Sequence, residues 1–278
     1  MSTGRIPLAG VIGAPVGHSL SPKLHGYWLR KYGIEGYYVP IELTRDTFDA
    51  GVKSLPQLGF RGVNVTIPFK ELALALADDV TDRAALIGAA NTLTFRKDGR
   101  IHADNTDGYG FIANIRQFQA DWNPTSGPAM VLGAGGAARA VASALLAEGV
   151  PELILANRTT ARAENLQEKL GARARVIGWN AVAKHLGDVA MLANTTALGM
   201  NGQPALSIDL AAIKAGSLVT DIVYAPLETP LLQSARDAGC KTVDGLGMLL
   251  HQAAPGFEAW FRKKPTVDQA LRDWVLEP

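Results

Sequence analysis

The stretch M-V-L-G-A-G-G-A-A-R-A-V, Met130 to Val141, decides the fold, read together with A-N-R-T-T-A-R, Ala156 to Arg162. The first part is an apolar strand, a glycine turn and the start of a helix. Gly133, Gly135 and Ala138 fit the dinucleotide fingerprint G-x-G-x-x-G/A. Gly133 permits the tight turn, Gly135 lets backbone approach a pyrophosphate, and Ala138 lets the helix lie close on the strand. With Ala134 at the turn and Gly136 and Ala137 at the helix start, free N–H groups face the phosphates. The second part selects the dinucleotide. An NAD site usually carries an acid about twenty residues on, at the tip of the next strand, for the ribose 2′-OH. Here the strand Glu152 to Ala156 is followed by Asn157, Arg158, Thr159 and Arg162. Two guanidiniums and two hydrogen-bonding side chains suit a 2′-phosphate. The expected cofactor is therefore NADP(H). Cations at a helix start oppose its macrodipole, and a bound phosphate gives Arg158 and Arg162 a reason to be there.

Composition bounds the rest. The chain has 278 residues, 47% of them hydrophobic, and a formal net charge of +1. That length allows two domains with real cores, and the composition is that of an ordinary soluble globular protein. No basic field points to nucleic acid, and no acidic tail points to a scaffold. Cys240 is the single cysteine, so no intrachain disulfide can form. This fits a reducing compartment, and a cytoplasmic location is expected. The apolar run from Ile6 to Val16 is broken by Pro7, Gly10, Gly13 and Pro15 and is read as a buried strand, not a secretory signal. No segment reaches the length of a membrane span, and a membrane partner is not expected.

The pattern predicts an α/β protein throughout. In the first third, strands are expected over 8–12, 36–43 and 62–66, and helices over 22–32, 47–55 and from Pro68 to about 77. Ser21 is placed as N-cap with Pro22 at the first helical position. A hairpin is expected around Lys97-Asp98-Gly99, then a helix over 107–119 with Phe111, Ile115 and Phe118 on one face. A loop rich in Asn, Pro, Ser and Gly (123–128) is the first candidate domain boundary. Strands near 129–132, 153–156, 190–193 and 218–222, with helices between, read as a Rossmann-like doubly wound nucleotide domain. The tail is expected to be one apolar helix over 246–263 and a shorter one over 267–275.

Outside the nucleotide motif, unusual segments occur in one order. They are G-H-S-L-S-P (17–22), N-V-T-I-P-F-K (64–70), A-A-N-T-L (89–93), D-N-T-D-G (104–108), N-T-T-A-L-G-M (194–200), D-I-V-Y-A-P (221–226) and D-G-L-G-M-L-L-H-Q-A (244–253). With the fingerprint, these resemble the shikimate/quinate dehydrogenase family over essentially the whole chain. The resemblance implies an N-terminal α/β substrate domain, residues 1–106 completed by the C-terminal helices 245–278. It implies an NADP domain over 107–244, with the active site in the cleft between the two. It implies NADPH-dependent reduction of 3-dehydroshikimate to shikimate and the reverse, with Lys70 and Asp107 as the catalytic pair. Ser19, Ser21, Thr66, Asn91, Tyr224 and Gln252 match the family's substrate-binding positions, alongside Lys70 and Asp107. Gly133, Ala134, Gly135, Gly136, Ala137, Asn157, Arg158, Thr159, Arg162, Ile222 and Gly245 match or neighbour its cofactor positions. Gly26 departs from the family, which commonly has Asn there, and is expected to be structural.

Single residues have plainer readings too. Most lysines in a first helical turn are solvated, as Lys70 would be. Asp107 could simply cap a helix, and Asn64 and Asn91 suit turns. His18, His25 and His251 invite a metal or base assignment, but no H-x-x-x-H or Cys/His cluster supports a metal. Two rival functions remain. One is a quinate/shikimate dehydrogenase with relaxed substrate or cofactor use, against which stand Ser21, where quinate-preferring relatives tend to have Thr, and the Asn157-Arg158 tip. The other is a non-catalytic NADP-binding relative, against which stands retention of Lys70 and Asp107. A monomer or homodimer is expected.

Overall fold

Leu8 to Gly13 is an apolar run whose glycines admit close neighbours, and it becomes an interior strand of a sheet. The computed structural model describes residues 6–277. The chain divides into two units, Met1–Thr106 with Leu250–Pro278, and Asp107–Leu249. The division falls inside one helix, Leu246–Phe261.

The first unit contains β1 (Leu8–Gly13), β2 (Tyr37–Glu42), β3 (Phe60–Val65), β4 (Asp79–Val80), β5 (Thr92–Phe95) and β6 (Ile101–Asp104). They form a 6-stranded sheet in the order β2-β1-β3-β5-β6-β4. β1 pairs in parallel with β2 and β3, whereas β5 runs antiparallel to both β3 and β6. The sheet is therefore mixed, and its antiparallel part contains the hairpin around Gly99, whose φ is +87°. A Cβ on Gly62 would lie 2.0 Å from the Trp260 indole nitrogen. That absence lets Trp260, from the helix Leu246–Phe261, lie on β3 and donate to the Leu93 carbonyl at 3.2 Å. Phe48 and Phe69 stack at 5.0 Å within the core of this unit.

Two local expectations fail here and in the following helix. Ser21 is not the N-cap of the first helix. The helix spans Ser21–Lys31, Leu20 holds the cap position, and no side chain caps it. The Ser21 N–H instead donates to the Ser19 hydroxyl at 3.2 Å. Pro22 remains tolerated because the first four helical nitrogens have no intrahelical acceptor. In the helix Asp107–Phe118, Phe111 and Ile115 are buried, but Phe118 at the last turn is exposed.

The second unit contains β7 (Ala129–Leu132), β8 (Leu153–Ala156), β9 (Ala174–Ile177), β10 (Met191–Asn194), β11 (Leu218–Asp221) and β12 (Lys241–Val243). The order is β12-β11-β10-β7-β8-β9, and every pair is parallel. This is the doubly wound dinucleotide order, and it reverses between β7 and β10. β7, β8, β10 and β11 are buried at every position, as expected of parallel strands covered on both faces. The helix Gly136–Ala147 packs on this sheet through Ala138, Val141, Ala142 and Leu145. A Cβ on Gly108 would lie 2.8 Å from the Ala140 carbonyl. The helix Asp107–Phe118 thus lies backbone-close to the helix Gly136–Ala147.

Candidate functional site

In the first unit, the chain ends of β1 and β3 collect a polar network. Thr66 follows β3, and its N–H donates to the Ile12 carbonyl at 2.9 Å. Its own carbonyl receives the Phe69 N–H at 3.0 Å, which turns the chain into the helix Lys70–Leu76. Lys70 is thus the first residue of that helix and half-buried, and its carbonyl receives the Ala90 N–H at 2.8 Å. This bond ties the Lys70 helix to the residue before Asn91.

Asn91 is the hub. It is buried, and its backbone joins β3 to β6 through Val65 N–H to Asn91 O (2.8 Å) and Asn91 N–H to Asp104 O (3.0 Å). Its carboxamide oxygen accepts from the Thr106 N–H at 2.9 Å, the Thr106 hydroxyl at 3.1 Å and the Thr92 hydroxyl at 2.9 Å. Its Nδ2 donates to Gln252 Oε1 at 3.3 Å. The Thr106 hydroxyl also lies 2.8 Å from the Gln252 carbonyl. The structure therefore brings Asn91 and Gln252 side by side although 161 residues separate them.

Asn64 continues the network. It sits within β3, not in a turn, and its Nδ2 donates to Asn91 O and Thr92 Oγ1, each at 3.3 Å. Its Oδ1 accepts the Tyr38 hydroxyl proton at 2.7 Å. Tyr38 is also hydrogen-bonded to the Ser21 side chain, and burial pushes its phenol well above the usual range. Ser19, Ser21, Asn91 and Gln252 are so linked through Tyr38 and Asn64, to which sequence reading gave no functional role. His25 stacks on Tyr38 with ring centroids 3.9 Å apart. Burial lowers its pKa to about 3, so it packs as a neutral ring. His18 is exposed and His251 half-buried. Among the described residues, no group of three or more His, Cys, Asp or Glu could hold a metal ion.

In the second unit, the sequence-predicted cofactor residues lie at the C-terminal ends of neighbouring strands. Gly133 follows β7 with φ +114°, and a Cβ there would lie 2.7 Å from the Thr195 hydroxyl and 3.2 Å from the Thr196 methyl. This turn sits at the reversal of strand order, between β7 and β10, where doubly wound sheets take their ligands. A Cβ on Gly135 or Gly136 would meet nothing within 4 Å. The start of the helix Gly136–Ala147 is thus open, with uncapped N–H groups, and fits a pyrophosphate. At the tip of β8, Asn157 Nδ2 donates to the Thr159 carbonyl at 2.8 Å, folding the turn into the helix Thr160–Leu170. Arg158 and Arg162 are exposed there, and neither makes an ion pair among the described residues. The chemistry of these donors fits the 2′-phosphate of NADP.

Sequence reading assigned no role to Asp221. It ends β11, is buried, and its carboxylate takes three hydrogen bonds: from Asn194 Nδ2 (2.9 Å), the Val223 N–H (3.0 Å) and the Thr229 hydroxyl (2.8 Å). These fix both ends of the loop that holds Ile222 and Tyr224. Burial outweighs those bonds and raises the Asp221 pKa to about 6. Burial also raises the Tyr224 phenol, which remains a neutral donor. A Cβ on Gly245 would lie 2.3 Å from the Ile222 carbonyl, so only glycine permits this approach. Asp107 opens the helix Asp107–Phe118 and is buried.

A strand order of this kind, a glycine turn open to a pyrophosphate and two exposed guanidiniums at the next strand tip define a dinucleotide-binding α/β protein with a second, polar-lined α/β domain. The family model described as "Shikimate dehydrogenase substrate binding domain" matches residues 11–93, and that described as "Shikimate / quinate 5-dehydrogenase" matches residues 117–200. A shikimate dehydrogenase (NADP(+)) from Jannaschia sp. (strain CCS1) is 57% identical over 99% of this chain and 99% of its own length. Among solved structures, shikimate 5-dehydrogenase from Thermus thermophilus, in complex with NADP(H) and shikimate, has a TM-score of 0.84 at 36% identity, covering 98% of each chain. Quinate dehydrogenase from Corynebacterium glutamicum, in complex with NAD, has a TM-score of 0.90 at 29% identity, covering 98% of this chain and 99% of its own. The chain belongs to the shikimate dehydrogenase family.

Proposed function

We propose that this protein is an NADP-dependent shikimate dehydrogenase that interconverts 3-dehydroshikimate and shikimate. The observation that carries the reading is the pairing of two features. One is the open glycine turn with exposed Arg158 and Arg162 in the second unit. The other is the Asn91–Gln252–Thr106 cluster in the first. The domain roles follow: residues 1–106 with the C-terminal helices bind substrate, and residues 107–244 bind cofactor.

NADPH, when bound, supplies the hydride for the carbonyl. The protein's own work is to hold the substrate and to manage the proton. Lys70 donates a proton to the oxygen that gains negative charge, and its neutral amine accepts the hydroxyl proton in the oxidative direction. Such general acid–base help is typically worth ~10²–10⁴-fold. Asp107 accepts a substrate hydroxyl hydrogen bond. Ser19, Ser21 and Tyr224 hold the carboxylate through hydroxyl donors, and Thr66, Asn91 and Gln252 address the ring hydroxyls. Asn91 is well suited to this, since its orientation is fixed by its bonds to Thr92, Thr106 and Gln252. Gly133 to Ala137 cradle the pyrophosphate, Asn157 to Arg162 the 2′-phosphate, and Ile222 and Gly245 border the nicotinamide. A cytoplasmic location agrees with the single cysteine, and the working assembly is a monomer or homodimer.

Relaxed use of quinate is the second reading, favoured by the fold likeness to a quinate dehydrogenase. Against it stand the Ser21 hydroxyl, where a Thr methyl is absent, and the strand tip without an acid. Shikimate-dependent appearance of NADPH from NADP⁺ tests the main reading. No turnover in either direction would leave a cofactor-binding protein without catalysis.

A further inference from the structure

A concavity of about 600 Å³ lies on the first unit at the start of β3, lined by Phe95, Arg96, Lys97 and Gly99 of the hairpin and by Ala259 and Arg262 at the end of the helix Leu246–Phe261. Its volume lies within the range of small-molecule sites. Arg61, Arg96, Lys97 and Arg262 line it, and no acidic residue does. Arg96 is engaged by Asp79 at 2.8 Å. The side chains of Arg61, Lys97 and Arg262 make no ion pair among the described residues. Phe60 and Phe95, both half-buried, give it aromatic walls.

Arg262 adds an independent point. Its φ is +59°, and it is the one non-glycine residue with positive φ among the described residues. It follows the helix end at Phe261, its N–H donating to the Glu258 carbonyl at 2.9 Å. Glycine takes that backbone position without steric cost. An arginine there gives up local backbone ease and places a guanidinium at the concavity, which is the kind of outlier from which a binding role is inferred. The protein's charge is nearly balanced, at +1 overall. The positive potential is therefore local and concave, which suits a small anion better than a nucleic-acid backbone or a membrane surface.

We propose that this concavity is a binding site for a small diphosphate-bearing molecule, held by Arg61, Lys97 and Arg262. The site lies outside the residues assigned to substrate and cofactor. Guanidiniums bind phosphate oxygens through charge-assisted, often paired, hydrogen bonds, and the ammonium of Lys97 adds a point charge. The aromatic walls give a ring on the same ligand an apolar face.

The test is calorimetric titration of the full-length protein, saturated with NADP⁺, with pyrophosphate as the probe. Saturable binding at one site per chain is expected, weakening with added salt. Arg61→Ala and Arg262→Gly should each weaken it at least about tenfold, the size of one lost charge-assisted bond. Arg262→Gly should keep or raise the melting temperature, because glycine suits that φ, so its loss of binding is not a folding defect. Arg158→Ala should leave pyrophosphate binding unchanged, whatever it does to NADP⁺. Absence of saturable binding at millimolar pyrophosphate overturns the proposal. So does equal affinity in the Arg61 and Arg262 variants, or a loss confined to Arg158→Ala, which would put the probe on the dinucleotide residues.

Discussion

The carboxamide oxygen of Asn91 accepts the backbone N–H of Thr106 at 2.9 Å. The residue immediately before Asp107 is thereby clamped by a side chain that also donates to Gln252. Two of the proposed substrate residues, Asn91 and Gln252, thus meet through one buried amide. Asn91→Ala leaves the Thr106 N–H and the side-chain Oε1 of Gln252 without these partners. A buried group left so costs about 1–3 kcal/mol. Denaturant unfolding should show a loss of that size, and KM for shikimate should rise. Asn91→Asp keeps the acceptor and should unfold at a higher denaturant concentration than Asn91→Ala.

Lys70 is proposed to act mainly in the transition state. Lys70→Ala should therefore cut kcat by at least ~10²-fold while KM changes far less. Steady-state kinetics on folded variant protein check this. A near-normal kcat would remove Lys70 from the mechanism.

Arg158 makes no ion pair within the chain, among the described residues, that its removal would disrupt. Arg158→Ala should leave stability and NAD⁺ affinity nearly unchanged. It should weaken NADP⁺ by roughly ten- to a hundredfold, the value of a charge-assisted hydrogen bond. Binding titrations with both cofactors separate this from a fold defect, which would weaken both equally.

Asp221 gives a pH dependence with a defined sign. Burial holds its folded pKa at about 6, above the ordinary 3.8. Between those values the native state binds more proton than the unfolded chain. The stability this supplies is present below about pH 4 and is lost as pH rises through 6. Asp221→Asn keeps an acceptor for Asn194 and the Val223 N–H but cannot ionise. Relative to the parent, the variant should gain stability as pH rises from 4 to 7, by on the order of 2 kcal/mol. Unfolding curves at several pH values measure it, and a difference independent of pH would contradict the assignment.

The sequence displays the second unit best where one residue type has one physical use. The glycine turn after β7 is legible because φ +114° and a hydroxyl 2.7 Å from the missing Cβ leave no alternative to Gly133. The edge strands β9 and β12 were not legible. β12 is three residues, Lys241–Thr242–Val243, too short for any alternation to register. The Ser21 capping expectation failed by one residue: Leu20 holds the cap position, and Ser21, as the first helical residue, gives its own N–H to the Ser19 hydroxyl. Phe118 has the right spacing for a buried face but falls at the helix end, where the core has stopped. In the site, family motifs named Asn91 and Gln252 but not the network joining them. Asp221 was visible only as a motif letter, because its partner Asn194 lies 27 residues away and its burial arises from tertiary packing.

As proposed, the protein prefers shikimate with NADP⁺. This preference is tested most directly by kcat/KM for shikimate and for quinate, each with NADP⁺ and with NAD⁺, on the parent and on Ser21→Thr. One added methyl beside the substrate is worth about 1–3 kcal/mol of discrimination. The parent should strongly prefer shikimate with NADP⁺, and Ser21→Thr should lose activity on shikimate while losing less, or gaining, on quinate. Comparable parent kcat/KM values for shikimate and quinate would contradict it.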